Sequence, residues 1–199
     1  MPQLPPTTKI LMLACTVMFC VQLLLGRWVE GLFALWPIGS GLFMPWQLLT
    51  YAFLHGSFTH LLFNMLGLWM FGAELEQIWG RKRYLQYLAA SALAGAVCQL
   101  AVTALLGSFG ATLGASGALY GLLLAFGMMF PERTIVPLIP PIPMKAKVFV
   151  AVFGGLELLF GLMGGSGVAH FAHLGGMLGG WLMFRFWRGQ APFPPRKRR

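Results

Sequence analysis

The sequence predicts an all-α, polytopic membrane protein whose six transmembrane helices form one compact bundle. Three observations support this prediction. The 199 residues are 58% hydrophobic and only 10% charged, which is too apolar for a soluble domain of this length. Six segments are long and apolar enough to enter a bilayer. The basic residues gather on one side of those segments, as in oriented membrane proteins.

Six apolar segments are the candidate spans, and they leave no room for a second domain. The first span has one lysine nearby but no A-x-A cleavage pattern, so we interpret it as a retained helix and not as a signal peptide. The fourth is too short to complete a crossing, and we expect it to be partly buried in the bundle. In chain order the spans are 10–26, 57–74, 84–106, 115–130, 147–163 and 168–187.

The longest connection, residues 27–56, is rich in aromatic side chains and poor in charge. Aromatic side chains favour the interface between membrane and water. We therefore expect this connection to lie in the outer headgroup layer as a lipid anchor. Its large aromatic residues are Trp28, Phe33, Trp36, Phe43 and Trp46.

The net charge of +9 follows the topology of the spans. With the N-terminus inside, every lysine and arginine except Arg27 falls in a cytoplasmic segment, which is the positive-inside pattern. The sequence thus predicts a cytoplasmic N-terminal segment at 1–9, a membrane domain at 10–188 and a basic cytoplasmic tail at 189–199. The terminal PRKRR is expected to touch anionic headgroups of the lipid bilayer, and no binding of nucleic acid is expected.

Four polar side chains on three different spans are predicted to share one layer of the membrane. Polar groups in hydrocarbon face the bundle interior or a water-filled cavity. Counted from the cytoplasmic ends at 1.5 Å per residue, Asn64 lies about 15 Å deep, His173 about 18 Å, His60 about 21 Å and Ser116 about 22 Å. His60 and Asn64 also share one helical face, because they are four residues apart. This coincidence predicts a functional site in the outer half of the membrane.

Glycines predict which helices touch. Gly117 and Gly121 are four residues apart on the fourth span, and Gly176 and Gly180 are four residues apart on the sixth. Small residues at this spacing let membrane helices approach closely. Packing through these two faces would bring Ser116 and His173 together.

These residues resemble the rhomboid intramembrane serine proteases, in the basic six-helix bacterial-type form. The matching segments are GASG at 114–117, HLLFN at 60–64 and AHLGGMLGG at 172–180. They correspond to the GxSG, HxxxN and AHxxGxxxG motifs of that family, which lie on its fourth, second and sixth helices. The resemblance covers essentially the whole chain and implies a rhomboid-like bundle.

The resemblance implies a role for each of these residues. Ser116 would be the nucleophile and His173 the general base of a Ser-His dyad, which needs no aspartate; the chain contains none. His60 and Asn64 would stabilise the oxyanion together with the Ser116 backbone N–H. Tyr120 would stack on the catalytic imidazole. Gly114, Gly117 and His170 complete the supporting positions.

Three further positions are interpreted more modestly. His170 rivals His173 as the base, but the spacing to the glycines favours His173, so His170 is expected to face water or a lid. Glu157 is a candidate for function because it lies near mid-membrane. Nothing in the sequence pairs it with the site, and we assign it a protonated or hydrogen-bonded role in packing. The family often has Trp-Arg before its second helix, where this chain has Trp46-Gln47.

The implied function is an intramembrane serine endopeptidase of the cell inner membrane, with both termini cytoplasmic and the active site opening outward. Its substrates would be membrane proteins, bound through their transmembrane segments. Access is expected beside the glycine-rich 161–167, with 161–170 as a lid. No cofactor and no metal are expected, and the absence of HExxH excludes the common metalloprotease motif.

Two alternatives remain open at this stage. One is a non-catalytic rhomboid-like protein that binds transmembrane helices without cutting them. Relatives of that kind usually lack the serine or the histidine, and both residues are present here. The other is a small transporter, which would predict charged residues along a pathway and perhaps an inverted repeat. Glu157 is the only ionisable residue at mid-membrane depth that would suit such a pathway, and the sequence shows no repeat.

Overall fold

The computed structural model describes residues 4–107, 110–138, 140–164 and 169–190, and eight α-helices make up most of these. They are α1 Pro6–Leu25, α2 Arg27–Phe33, α3 Gln47–Thr50, α4 Phe58–Gly67, α5 Ala73–Leu106, α6 Ser116–Met129, α7 Ala146–Met163 and α8 His170–Arg188. Single 3-10 turns occupy Ile38–Ser40 and Tyr51–Phe53. Two-residue strands, β1 Thr134–Ile135 and β2 Met144–Lys145, pair antiparallel between α6 and α7.

The predicted helical class is confirmed, while six membrane crossings stay a prediction. By length and composition, three helical stretches in the described part of the chain are able to cross a membrane: Pro6–Leu25, Phe58–Leu106 and Ala146–Met163. The helix Ser116–Met129 is apolar but shorter. It begins and ends within a residue of the predicted fourth span, whose shortness it confirms.

Helix continues beyond the second predicted span, and a single non-helical residue separates it from the third. The chain leaves α4 through a π-helical turn at Leu68–Gly72 and stays helical to Gly80, whose φ of 73° and ψ of 164° break α5. A positive φ of this kind favours glycine. The extra helical turns have a packing reason, because the ring of Trp79 lies 4.9 Å from that of Tyr87 and 5.2 Å from that of Trp187.

The long connection between α1 and α4 is organised by the buried amide of Gln47. Its Oε1 accepts hydrogen bonds from the backbone N–H of Trp36 (3.3 Å) and of Met44 (3.2 Å). Its Nε2 donates to the Leu42 carbonyl at 3.0 Å. A neutral side chain with both donors and acceptors thus binds three backbone groups of the connection, at the position where the family often has arginine.

The irregular segment before α6 is tied to this connection by backbone hydrogen bonds. Leu35 and Thr112 form an antiparallel bridge, with both N–H···O distances at 2.9 Å. The Gly114 N–H donates to the Tyr51 carbonyl at 2.9 Å, and the Tyr51 hydroxyl donates to the Ala92 carbonyl at 2.8 Å. The backbone of the segment before α6 thus finds hydrogen-bond partners within the protein, which its predicted position inside the membrane would require.

The helices α6 and α8 touch through Gly117, Gly121 and Gly176, as predicted, whereas Gly180 faces Tyr87 of α5. A Cβ placed on Gly176 would lie 1.9 Å from the Gly117 carbonyl oxygen. A Cβ on Gly121 would lie 2.2 Å from Ser91 Oγ of α5 and 3.1 Å from the Gly176 carbonyl oxygen. No side chain fits between these backbones, so this contact fixes how closely the starts of α6 and α8 approach.

At the opposite end of the bundle, Glu76 caps the N-terminus of α1. Its carboxylate accepts hydrogen bonds from the backbone N–H of Thr7 (2.9 Å) and of Thr8 (2.6 Å), and from the Thr8 hydroxyl (2.8 Å). The first N–H groups of a helix lack partners inside the helix, and a carboxylate there also complements the helix dipole. This long-range cap anchors α1 to α5.

Two lysines hold the connection between α6 and α7 through Glu132. Lys145 donates to its carboxylate at 2.5 Å, and Lys147 donates to the other oxygen. Hydrogen bonds from Lys145 and Lys147 lower the pKa of Glu132 to about 2. The Glu132 carboxylate is exposed, and exposed ion pairs add little to stability. We therefore infer only that it orders the β1–β2 turn locally.

Candidate active site

The structure brings the two residues of the predicted dyad into direct contact. Ser116 is the first residue of α6, and His173 lies in the first turn of α8. The Ser116 Oγ to His173 Nε2 distance is 2.7 Å, which is that of a hydrogen bond. Each of the two residues lies at the start of its helix. The contact of Gly176 with Gly117, one turn further along α8, holds the two helices at this separation. A histidine at this position is able to take the serine proton.

Tyr120 lies where the resemblance implied it. It follows Ser116 by one helical turn, and its ring stacks on the His173 imidazole with centroids 4.4 Å apart and planes 7° apart. Such a stack restricts rotation of the imidazole about its χ2 axis. The ring plane, and with it the direction in which Nε2 faces, is therefore set in part by Tyr120.

Glu157 does have partners in the site, although sequence reasoning found none for it. The Tyr120 hydroxyl donates a hydrogen bond to its Oε1. Its Oε2 lies 2.6 Å from His170 Nδ1 and 2.8 Å from His173 Nδ1. The His173 contact has the distance of an ion pair but not the alignment of a good hydrogen bond. A carboxylate thus lies behind the imidazole that contacts the serine.

His170 does not face water, contrary to that part of the expectation. It is only 8% exposed and contacts the Glu157 carboxylate. The part of the expected lid at 165–168 lies outside the described residues. The only sequence signal that pointed toward this cluster was an ionisable residue near mid-membrane on α7. Its partners depend on how α7 is rotated against α8, which no motif specifies.

Glu157, His170 and His173 also form a group whose possible metal-ligand atoms all lie within 4.8 Å of one another. Ligand atoms around a tetrahedral zinc ion, bound at about 2.0 Å, are separated by roughly 3.3 Å. The two oxygen–nitrogen distances here, 2.6 and 2.8 Å, are shorter than that. In the arrangement that the structure describes, the carboxylate therefore contacts both imidazoles directly.

His60 and Asn64 lie on α4, on the other side of the serine. His60 Nδ1 accepts a hydrogen bond from the Gly56 N–H at 3.4 Å, so a neutral ring carries its proton on Nε2. A Cβ on Gly114 would lie 2.8 Å from His60 Nε2 and 3.5 Å from Ser116 Oγ. Glycine at position 114, where φ is 128°, keeps this space between donor and hydroxyl open.

Asn64 supports the same side of the site through its amide. Its Nδ2 donates to the His60 carbonyl at 2.7 Å, which leaves the second N–H of the amide free of that bond. Within the residues that the structure describes, its buried Oδ1 has no hydrogen-bond partner. The side chain is 3% exposed, and it borders the space in front of Ser116.

A cavity of about 790 Å³ opens in front of these residues. Its polar lining comes from α4, α5, α6, α8 and the segments before α4 and α6, and includes His60, Asn64, Gln99, Ser116, Tyr120 and His173. An apolar groove of about 640 Å³ adjoins it and shares Phe63, Leu119 and Tyr120 with it. The groove runs between α4 and α7, with Phe149 and Phe153 on the α7 side.

The fold and the site define a helical membrane protein whose bundle encloses a serine in contact with a histidine. A profile of the rhomboid domain matches residues 42–189, about three quarters of the chain. The chain therefore belongs to the rhomboid family, and it is a multi-pass membrane protein.

Two relatives illustrate the similarity. The chain is 36% identical over 151 residues to rhomboid protein 1, mitochondrial, of Saccharomyces cerevisiae. The matched region is 74% of this chain and 43% of that protein. It is 29% identical over 186 residues to the rhomboid protease GlpG of Yersinia pestis. This matched region is 93% of this chain and 63% of that protein. The chain thus spans less than two thirds of the length of either relative.

Proposed function

We propose that the protein is an intramembrane serine endopeptidase in which Ser116 is the nucleophile and His173 the general base. The observation that carries the proposal is the 2.7 Å contact between Ser116 Oγ and His173 Nε2 inside a bundle of the rhomboid family. A serine hydroxyl becomes a useful nucleophile when a neighbouring base accepts its proton. Membership in a family that includes proteases supports the reaction class.

The reaction uses the imidazole twice. Ser116 Oγ attacks the scissile carbonyl carbon while its proton passes to His173 Nε2, which gives a tetrahedral oxyanion and an imidazolium. Collapse breaks the C–N bond, and Nε2 returns the proton to the departing amine, leaving an ester on Ser116. A water molecule then gives a proton to Nε2 as its oxygen attacks the ester. Return of that proton to Oγ releases the carboxylic acid.

Stabilisation of the oxyanion is assigned to α4. The tautomer of His60 that fits its Gly56 contact directs an Nε2–H toward the gap beside Ser116. The free N–H of the Asn64 amide and the backbone N–H of Ser116 complete the set of donors. Donors fixed before the reaction and shielded from water are typically worth about 3–4 kcal/mol each in lowering the barrier.

The substrate class is a second membrane protein, held through its transmembrane segment and cut near the outer end of that segment. The apolar groove between α4 and α7 supports this assignment, because it offers an apolar surface that leads to the polar cavity at Tyr120. An intact helix shields its carbonyl groups in its own hydrogen bonds, so it must unwind before Ser116 attacks. Gly, Pro or polar residues at the cut favour that unwinding.

The orientation that we propose keeps both termini in the cytoplasm of a cell inner membrane and opens the cavity outward. Ion pairs of Lys and Arg with Glu74 and Glu132 lie at the end of the bundle opposite Ser116. This distribution of charge supports a membrane domain at 10–188 between a short cytoplasmic segment at 1–9 and a basic tail at 189–199.

The test is labelling with a fluorophosphonate probe, followed by cleavage of a membrane-embedded reporter. Wild type should label and cleave, and both Ser116→Ala and His173→Ala should lose both activities while inserting and folding. Ser91→Ala is the matched control, since Ser91 is also buried in a helix but its Oγ has no hydrogen-bond partner among the described residues. Cleavage by Ser116→Ala above background would refute Ser116 as the nucleophile, and a folded wild type that neither labels nor cleaves would instead indicate a binder of transmembrane helices.

A further inference from the structure

The Glu157 carboxylate is the buried ionisable group whose contacts the proposed reaction leaves unexplained. It is 8% exposed, in a helix whose other buried residues are Ala146 and Phe149. Both of its oxygens are engaged, and the contacts of Glu157 are Tyr120 from α6 and His170 and His173 from α8. A lone carboxylate at this depth is costly unless it is paired, so its position is set by these partners.

We propose that Glu157 is a positioning residue for the proposed peptidase and turns the Ser116–His173 pair into a three-residue Ser-His-Glu arrangement. This inference rests on the proposed function. Glu157 reaches the reacting atoms only through His173. Among the described residues that line the cavity, none comes from α7. Its effect must therefore be exerted on the imidazole and not on the substrate.

The first part of this role is the choice of tautomer. His173 Nε2 faces Ser116 Oγ and must be free of a proton in order to accept one. The ring proton then belongs on Nδ1, which lies 2.8 Å from Glu157 Oε2. A carboxylate only accepts hydrogen bonds, so it favours an N–H at Nδ1 and disfavours a lone pair there. Glu157 thereby keeps His173 in the tautomer that acts as a base.

The second part is the stabilisation of charge. When His173 takes the serine proton, the ring becomes an imidazolium within the bundle. A carboxylate at this distance attracts that charge strongly in a medium of low dielectric constant, and this attraction does not require a linear hydrogen bond. The imidazolium forms in the transition state and not in the bound substrate, so the effect belongs to kcat and not to substrate binding.

The carboxylate is held for this task by groups other than His173. The Tyr120 hydroxyl engages Oε1, and His170 Nδ1 lies 2.6 Å from Oε2. One turn beyond Glu157, α7 closes on α8, where a Cβ on Gly161 would lie 3.1 Å from the Phe171 ring and 3.3 Å from His170 Cβ. Tyr120 therefore acts on the imidazole twice, through its stacked ring and through its hydroxyl on Glu157.

The decisive variant is Glu157→Gln, which keeps the size of the side chain and an oxygen for Tyr120 but removes the charge. An amide N–H₂ that faces His173 Nδ1 favours the wrong tautomer. We expect kcat on the membrane-embedded reporter to fall by about 10²-fold or more, with KM within about threefold of wild type. The rate of fluorophosphonate labelling should fall in parallel. Glu157→Asp, which retains a carboxylate, should be faster than Glu157→Gln.

Glu76→Gln is the matched control, because Glu76 is another buried carboxylate with hydrogen bonds, at the far end of the bundle. Its kcat per folded molecule should stay within about threefold of wild type. Thermal unfolding in detergent establishes the folded fraction of every variant. All assays contain a chelator, so that a metal ion bound by Glu157 and the two histidines does not contribute.

Two results would overturn the inference: Glu157→Gln with a kcat within about threefold of wild type, or Glu157→Asp no faster than Glu157→Gln. Either result leaves the proposed function standing as long as Ser116→Ala is inactive. Failure of the proposed function itself would look different, because wild type would then neither label nor cleave.

Discussion

Replacing Gly176 by alanine tests whether the backbone contact between α6 and α8 sets the separation of Ser116 and His173. Gly176 lies one turn after His173, and its nearest neighbour on α6 is Gly117, the residue after Ser116. The added methyl group would lie 1.9 Å from the Gly117 carbonyl oxygen. That oxygen belongs to backbone, so it cannot rotate away as a flexible side chain would.

The size of the effect follows from these distances. Ordinary contact for a Cβ begins at 3.4 Å, so the two helices must move apart by about 1.5 Å at this point. If the helix starts move with them, the 2.7 Å contact between Oγ and Nε2 opens to roughly 4 Å, beyond hydrogen-bond range. A misplacement of about 1 Å costs roughly 10²-fold in rate. Overpacking should cost about 1–3 kcal/mol of stability.

The assay measures kcat on the membrane-embedded reporter and thermal unfolding in detergent. Gly155→Ala is the matched control on α7, since nothing lies within 4 Å of its Cβ position. Gly154→Ala is an intermediate case, because its Cβ would meet only the flexible end of Met177, at 3.3 Å. We expect both controls to retain wild-type kcat and Gly176→Ala to lose about 10²-fold or more.

The reasoning fails if Gly176→Ala is folded and cleaves within about threefold of wild type. That result would mean that the histidine reaches the serine by side-chain adjustment, and that the glycine contact serves packing alone. An equal loss of kcat in Gly155→Ala and Gly176→Ala would also contradict the reasoning. The loss would then come from any methyl group added to these helices and not from the contact with Gly117.

Three further predictions concern the donors, the outer connection and the substrate. Asn64→Ala should lower kcat by roughly 10²-fold with little change in KM, because an oxyanion donor acts in the transition state; a change confined to KM would indicate a substrate-positioning role. Gln47→Ala should lower the unfolding free energy by about 1–3 kcal/mol, measured against exposed Gln190→Ala, because it strands several partly buried backbone groups; equal stability of the two variants would contradict this. A reporter whose outer transmembrane turn is a run of leucines should be cut far more slowly than one with glycine there, and equal rates would show that local unwinding does not discriminate between substrates.

The parts of the site that could be predicted from sequence are those fixed by spacing within one helix. His60 and Asn64 share a face because they are four residues apart, and the glycines of α8 follow His173 at helical intervals. Depth counted along each span placed Ser116 and His173 in one layer. A close glycine contact between α6 and α8 then left little freedom in their separation, and the structure has the two side chains 2.7 Å apart.

What could not be predicted depends on how separate segments are rotated against each other. The Gln47 amide contacts backbone groups up to 16 residues away in an irregular connection, where no periodicity indicates its partners. Residues 75–83 were predicted to connect the second and third spans, but the structure stays helical from 73 up to the break at Gly80. Packing of Trp79 on two other aromatic rings extends the helix instead.

Glu157 shows the same limit at the candidate site. The helix α7 exposes most of its surface and is joined to α6 by a turn, so nothing local in its sequence fixes which face meets α8. A search for an acid beside the histidine also began from aspartate, which the chain lacks. Yet a glutamate on a neighbouring helix serves the same chemistry, since an imidazole responds to the position of a carboxylate and not to its place in the chain. The three polar contacts of that carboxylate come from α6 and α8, so the docking of α7 and the orientation of His173 are parts of one arrangement.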